Sequence, residues 1–139
     1  MKPVAVIGTG LIGRGIAGVV ARAGFPVFLH DSNPTALAAA FEALMAEPGL
    51  SSRQVVAEES LDVAVGDAQF VIESVVEDLS VKRRVFTRIG SVNSDAILMS
   101  NSSVLPISQI ALQTRKPERA IGTHWWNPPQ RLLRCPDIR

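Results

Sequence analysis

Charge is scarce in this chain, and metal-binding side chains are scarcer. Only 19% of its 139 residues are charged, against about 25% in ordinary globular proteins. Lys and Arg number 14 against 13 Asp and Glu, for a net charge of +1. With no basic block there is no electrostatic footprint for nucleic acid. The single cysteine, Cys135, excludes a disulfide within the chain. The two histidines, His30 and His124, stand too far apart for metal-ligand spacing, so no metal is expected. No apolar run approaches the ~20 residues of a membrane span, so no membrane partner is expected. Met1, Lys2 and Pro3 lead straight into a strand and do not read as a signal peptide. A reducing, cytoplasmic compartment is therefore expected. Internal repeats, low-complexity tracts and interior linkers are also missing, and the length suits one hydrophobic core.

What is present is an alternation of strand and helix. "PVAVIG" is a β-branched run ending at Gly8, the pattern of a strand buried on both faces. Residues 11–23 carry Ile12, Ile16, Val19, Val20 and Ala23 at helical spacing, and Gly24 supplies a stop. "FPVFLHD" (25–31) is a second strand. Ser32, Asn33 and Pro34 start a helix that runs to Ala46, and Pro48-Gly49 breaks it. "QVVAEES" (54–60) is a third strand, followed by a short helical or turn segment over 61–65. "AQFVIESVVE" (68–77) is a fourth, with a helix over 80–89. "AILMSN" (96–101) is a fifth, with a helix over 106–112. "RAIGTHW" (119–125) is a sixth. This order predicts an α/β protein with a doubly wound, mostly parallel sheet.

"GTGLIG" places Gly8, Gly10 and Gly13 in G-x-G-x-x-G spacing, between a strand and a helix inside a β-α-β unit. In that context each glycine has a physical task. Gly8 makes the tight turn, Gly10 lets backbone approach a pyrophosphate, and Gly13 permits close helix–strand packing. The helix N-terminus offers free N–H groups to phosphate. Asp31, at the end of the second strand, is placed to accept hydrogen bonds from ribose hydroxyls and to repel an extra phosphate. Its alternative is a helix cap. Arg22 reads as a solvated helix charge. The pattern predicts a Rossmann fold that binds NAD in preference to NADP. Leu11 and Ile12, in the same turn, join Gly8, Gly10, Gly13 and Asp31 as candidate cofactor-binding residues.

Four stretches then carry a resemblance over residues 3–129: "VAVIGTGLIGRGIA", "VIESVVEDLSVKRRVF", "SNSSVLPIS" and "IGTHWWNPP". In this order they resemble the NAD-binding domain of the 3-hydroxyacyl-CoA dehydrogenases. The resemblance implies oxidation of an (S)-3-hydroxyacyl-CoA to the 3-ketoacyl-CoA with reduction of NAD, in fatty-acid metabolism. It implies that Glu77 and Lys82 lie near the nicotinamide-side ribose and that Ser103 hydrogen-bonds both cofactor and substrate. His124 becomes the candidate base, with Asn127 as a further catalytic candidate in the same motif. Taken singly, Glu77 and Asp78 could serve only the positive end of the next helix, and Lys82 could be solvated. Ser103 could be a helix N-cap. His124 itself is placed at the end of the sixth strand, where a neutral imidazole can take a hydroxyl proton near neutrality.

The resemblance fails at two points. In the family a glutamate downstream of the histidine orients it, but Pro136 stands at the matching position. Asp137 is one residue further on, and on a strand that shift turns its side chain to the opposite face. Loss of the orienting carboxylate is expected to lower turnover by orders of magnitude, by analogy with catalytic triads. The family also continues into a helical domain that covers the substrate. Here residues 1–129 are expected to form the NAD-binding domain, with 130–139 as an atypical tail replacing the start of that continuation. Apolar surface left open should then promote self-association, in keeping with a mean hydropathy of +0.22. The expected partner is a small-molecule substrate, either an acyl-CoA or, alternatively, a non-CoA hydroxy acid resembling carnitine or gulonate. A catalytically dead NAD-binding module is the third reading.

Overall fold

The computed structural model describes residues 1–129. Its strands are β1 (Val4–Ile7), β2 (Val27–His30), β3 (Val55–Ala57), β4 (Phe70–Glu73), β5 (Ile97–Ser100) and β6 (Ala120–Gly122). Between them lie α1 (Leu11–Arg22), α2 (Pro34–Met45), α3 (Leu61–Gly66), α4 (Leu79–Val92) and α5 (Ile107–Ile110), with a short 3-10 turn at Pro117–Arg119. The strands form one sheet in the order β3-β2-β1-β4-β5-β6, and every pairing is parallel. The chain lays β2 and β3 on one side of β1, then returns to add β4, β5 and β6 on the other. That reversal leaves a crevice beyond the C-terminal ends of β1 and β4, the usual ligand site of an open α/β sheet.

Local chemistry explains the element ends. Asn33 caps α2, its side chain accepting from the N–H groups of Thr35 and Ala36, with Pro34 at the first helical position. At the end of α1, Gly24 adopts φ +92°. Its N–H bonds the Ala21 carbonyl while that of Phe25 bonds Val20, a Schellman closure that a Cβ would strain. Arg22, in the last turn of α1, is tied to Glu47 at 2.6 Å and is not merely solvated.

Alternation along the strands divides the core into two layers. Val4 and Val6 face α1 and α2, packing with Ile16, Leu29 and Leu44. Ala5 and Ile7 face the other way, onto a layer holding Phe86, Ile89, Leu98 and Ile110. β1 is buried throughout, as its unbroken apolar run requires.

Three strands end earlier than the sequence pattern predicts, for a common reason. After β4 the Val75 N–H bonds the Glu73 carboxylate at 2.7 Å. After β6 the Thr123 N–H still reaches the Ser100 carbonyl at 2.8 Å, but that of Trp125 turns to the Asn101 side chain at 2.7 Å. After β3 the Ser60 N–H bonds Glu58 at 2.8 Å. In each case a side-chain oxygen takes an N–H that a longer ladder would have used. Residues 74–77 and 123–125 are therefore loops on the ligand side of the sheet. His124 lies two residues beyond β6, a correction to the expected strand end.

Candidate functional site

The glycine loop forms one half of the crevice. Gly8 has φ +100°, and a Cβ there would lie 2.5 Å from the Ser74 carbonyl oxygen. A Cβ on Gly13 would lie 2.0 Å from the Gly8 carbonyl oxygen, whereas one on Gly10 would meet nothing within 4 Å. Two glycines thus serve close packing, and the third keeps open the space in front of α1. Gly10 caps α1 without a side-chain hydrogen bond, and no acidic residue stands in the first turn. The early N–H groups, including those of Leu11 and Ile12, therefore face the crevice without an anionic competitor. The two side chains diverge: Leu11 is exposed, while Ile12 packs against the core.

Asp31 follows β2 directly and turns onto this loop. Its Oδ2 accepts the Thr9 N–H at 2.9 Å and the Thr9 hydroxyl at 2.7 Å, and its Oδ1 accepts the Asn33 N–H at 2.9 Å. Burial pushes this carboxyl up, but the donors from Asn33 and Thr9 outweigh burial and hold it below its ordinary value. A depressed carboxyl stabilises the fold above the ordinary aspartate range and loses that contribution as pH falls through its lowered value. Thr9→Val should raise the Asp31 pKa and move acid unfolding to higher pH, readable by carboxyl NMR and thermal melts. An unmoved Asp31 titration would contradict this account. α2 is capped by Asn33, so Asp31 is not its cap. Beside these residues opens a cleft of about 510 Å³, lined by Gly8, Gly10, Asp31, Leu61, Val76 and Val81 among others.

The other half of the crevice is built on β4, β5 and the loop after β6. Glu73 and Lys82 are almost wholly buried, at 0% and 1% exposure. Lys82 Nζ donates to Glu73 Oε1 at 2.6 Å and to the Val75 carbonyl at 3.2 Å, and it lies 3.6 Å from Glu77. Glu73 Oε2 accepts the Ser100 hydroxyl at 2.7 Å. Lys82 is thus not a solvated helix residue; it reaches the site through its carboxylate partners. Glu77 accepts the Ser102 hydroxyl and lies outside α4, which is capped by Asp78. Partial burial raises the Glu77 pKa, but the Ser102 hydroxyl, the Val104 N–H and Lys82 together hold it below its ordinary value.

Ser103 is not a helix cap either. α5 begins only after Pro106 and has no side-chain cap, while Ser102 Oγ takes the Leu105 N–H at 3.0 Å. The Ser103 hydroxyl instead meets His124 Nε2 at 2.9 Å. Trp126 stands beside that imidazole, ring centroids 5.3 Å apart, and is exposed. Asn127 is exposed and makes no side-chain hydrogen bond among the described residues. Pro136, Asp137 and Cys135 lie outside the described residues.

The structure therefore draws Glu77, Lys82, Ser103 and His124 into one cluster, and Gly8, Gly10, Gly13 and Asp31 into an adjoining one. Thr9, Glu73, Ser100, Asn101 and Ser102 join them without having been singled out from sequence. Only Glu73 carried a signal there, as a lone carboxylate inside the apolar run "FVIESVV". A second groove of about 730 Å³, along the outer face of α4, contains none of these residues.

The comparisons with known proteins agree with this geometry. Residues 3–133 match the family model described as 3-hydroxyacyl-CoA dehydrogenase, NAD binding domain. A 3-hydroxybutyryl-CoA dehydrogenase of Mycobacterium tuberculosis is 36% identical over 92% of this chain and 50% of its own length. A 5-formyl-3-hydroxy-2-methylpyridine 4-carboxylate 5-dehydrogenase of Mesorhizobium japonicum is 33% identical over 93% of this chain and 46% of its own. The crystal structure of a 3-hydroxyacyl-CoA dehydrogenase from Archaeoglobus fulgidus superposes with a TM-score of 0.81 at 35% identity, covering 95% of this chain and 45% of that one. The chain thus spans about half the length of the relatives it matches. The glycine cradle, the open first turn of α1 and the cleft beside Asp31 fit a dinucleotide. The chain belongs to the NAD-binding domain family of the 3-hydroxyacyl-CoA dehydrogenases.

Proposed function

We propose that this chain is the NAD-binding part of an enzyme that oxidises an (S)-3-hydroxyacyl-CoA to the 3-ketoacyl-CoA in fatty-acid metabolism. The observation that carries the reading is the 2.9 Å contact between Ser103 Oγ and His124 Nε2, on the ligand side of the sheet beside the glycine loop. Gly8, Gly10 and Gly13 with the first N–H groups of α1 hold the pyrophosphate, and Asp31 holds the adenine-side ribose. Glu77, braced by Lys82, faces the second ribose. Bound NAD supplies the hydride acceptor. His124 Nε2 takes the proton of the substrate 3-hydroxyl. Ser103, donating to that nitrogen before substrate arrives, orients the ring and then turns to the substrate oxygen. Asn127 is assigned to the substrate side of the same motif.

Residues 1–129 are taken as the NAD-binding domain and 130–139 as an atypical stretch following it. The chain mixed with NAD and (S)-3-hydroxybutyryl-CoA should bind the dinucleotide. Its production of NADH should lie orders of magnitude below that of a whole dehydrogenase, because no orienting carboxylate stands at Pro136. Absorbance of NADH and calorimetry of NAD binding separate the two results. Activity should rise with Pro136→Glu or when the helical domain is supplied in trans, and His124→Ala should abolish what is gained. Failure of both additions, with NAD still bound, favours the dead-module reading.

A non-CoA hydroxy acid is the second reading for the substrate. Trp126 beside His124, where the family's usual motif has phenylalanine, favours it. A panel of acyl-CoA and free hydroxy acids on the completed enzyme decides between them. A cytoplasmic setting is in keeping with the single cysteine, and no helix among the described residues is long and apolar enough to cross a membrane.

Self-association belongs to the same proposal. Leu11, Val76, Val104 and Trp126 are each more than half exposed at the ligand end of the sheet, a patch that calls for a cover. Gel filtration over a wide concentration range should show dimers or larger species. A monomer at every concentration would count against it.

A further inference from the structure

The backbone around His124 is held by one short stretch of chain. The Thr123 N–H bonds the Ser100 carbonyl at 2.8 Å, the Trp125 N–H bonds Asn101 Oδ1 at 2.7 Å, and the His124 ring meets Ser103 at 2.9 Å. The side-chain polar atoms of the flanking residues, Thr123 Oγ1 and Trp125 Nε1, are buried without partners among the described residues. All the polar anchoring of this loop seen here therefore comes from Ser100, Asn101 and Ser103.

Asn101 is the member of that set with two ends. It is 9% exposed, and its Nδ2 donates to Ser74 Oγ at 3.3 Å. Ser74 in turn packs its carbonyl against Gly8, at the base of the glycine loop. One amide thus joins the cofactor loop's support to the peptide that follows His124. We propose that Asn101 is a positioning residue that sets the His124 imidazole against Ser103, doing from the backbone side part of what an orienting carboxylate does from the ring side. This rests on the reading of His124 as the base.

The physical case is geometric. Among the described residues, the Thr123 and Trp125 N–H groups are the loop's backbone ties to the end of β5 and the residue after it, one on each side of His124. Without the Asn101 acceptor the loop keeps only its first tie, at Thr123. The ring can then swing by more than the few tenths of an ångström that separate a hydrogen bond from none. The consequence is read at the ring itself. While Ser103 donates to Nε2, the neutral imidazole carries its proton on Nδ1. A freely solvated neutral histidine ring instead favours the proton on Nε2.

The test is nitrogen-detected NMR of the chain labelled at its two histidines, with His124→Gln assigning the signals. Wild type should show His124 in the Nδ1–H form above its titration, and a slowly exchanging Trp125 amide. Asn101→Ala should shift His124 from the Nδ1–H form toward the Nε2–H form and speed exchange at Trp125 by at least about tenfold. His30 should stay as it was, held by its own bond to the Glu58 carbonyl at 2.9 Å. Asn101→Asp, which keeps the acceptor, should restore the His124 signature. If Asn101→Ala does not fold, Asn101→Ser is measured instead, since its hydroxyl is too short to reach Trp125. A His124 signature unchanged in the folded alanine or serine variant overturns the proposal. A wild type whose His124 is not in the Nδ1–H form, or is indifferent to Ser103→Ala, instead overturns the Ser103–His124 reading beneath it.

Discussion

Lys82→Met is expected to be the most destabilising single change in the molecule. It removes the cation from the fully buried Glu73 and leaves a carboxylate with, among the described residues, only the Val75 N–H and the Ser100 hydroxyl. Breaking a buried pair from one side costs about 3–5 kcal/mol, a large share of the roughly 5–15 kcal/mol that holds a domain together. For a chain of this size the melting temperature should fall by roughly 10–20 °C. Glu73→Gln should cost less, because Lys82 keeps the Val75 carbonyl at 3.2 Å and Glu77 at 3.6 Å. Glu73→Leu combined with Lys82→Met should recover much of the loss, since no charge is then stranded. The Val75 N–H and Ser100 hydroxyl still lose an acceptor, at about 1–3 kcal/mol for a buried donor. Thermal melts of the four proteins check the ordering. A single Lys82→Met mutant that melts with wild type would refute it.

Gly13→Ala is expected to abolish NAD binding, by more than about a hundredfold, equivalent to about 2.7 kcal/mol. The added Cβ would sit 2.0 Å from the Gly8 carbonyl oxygen. The obstacle is backbone, so α1 or the turn must move. Overpacking of this kind also costs about 1–3 kcal/mol of stability. Gly10→Ala separates the two effects. Gly10 has ordinary dihedrals for any residue, φ −58° and ψ 178°, and its Cβ would meet no protein atom. That variant should melt close to wild type yet bind NAD poorly, because the methyl group stands where the phosphates approach. Calorimetric titration beside a thermal melt reads both. Tight NAD binding by Gly13→Ala would show that the turn does not carry the pyrophosphate.

The two halves of the site were unequally visible before the structure. Gly8, Gly10, Gly13 and Asp31 stand within one β-α-β unit, and their tasks follow from spacing. The cluster around His124 does not follow in that way. Ser103 and His124 are recognisable only from their motifs, and Ser103 is not a cap because α5 starts after Pro106 with no side-chain cap and the Ser103 hydroxyl meets His124 instead. Glu73, Ser100 and Asn101 look like ordinary strand residues in a linear chain. They become site residues because β4 and β5 are neighbours in register, Glu73 beside Ser100.

By itself the sequence determined what short-range physics can determine. Strands alternate with helices because apolar period and β-branching change along the chain. Helices start at Asn33 and stop at Gly24 because caps and glycine act within a few residues. The glycine turn precedes α1 because only glycine fits at Gly8 and Gly13. The tertiary structure decided the strand order and where β3, β4 and β6 stop. It also buried a lysine and a glutamate together and brought Ser103 to the His124 ring. These outcomes depend on which distant residues become neighbours. The crowded ends of parallel strands let side-chain oxygens of Glu73 and Asn101 compete for backbone N–H groups, and no local pattern contains that competition.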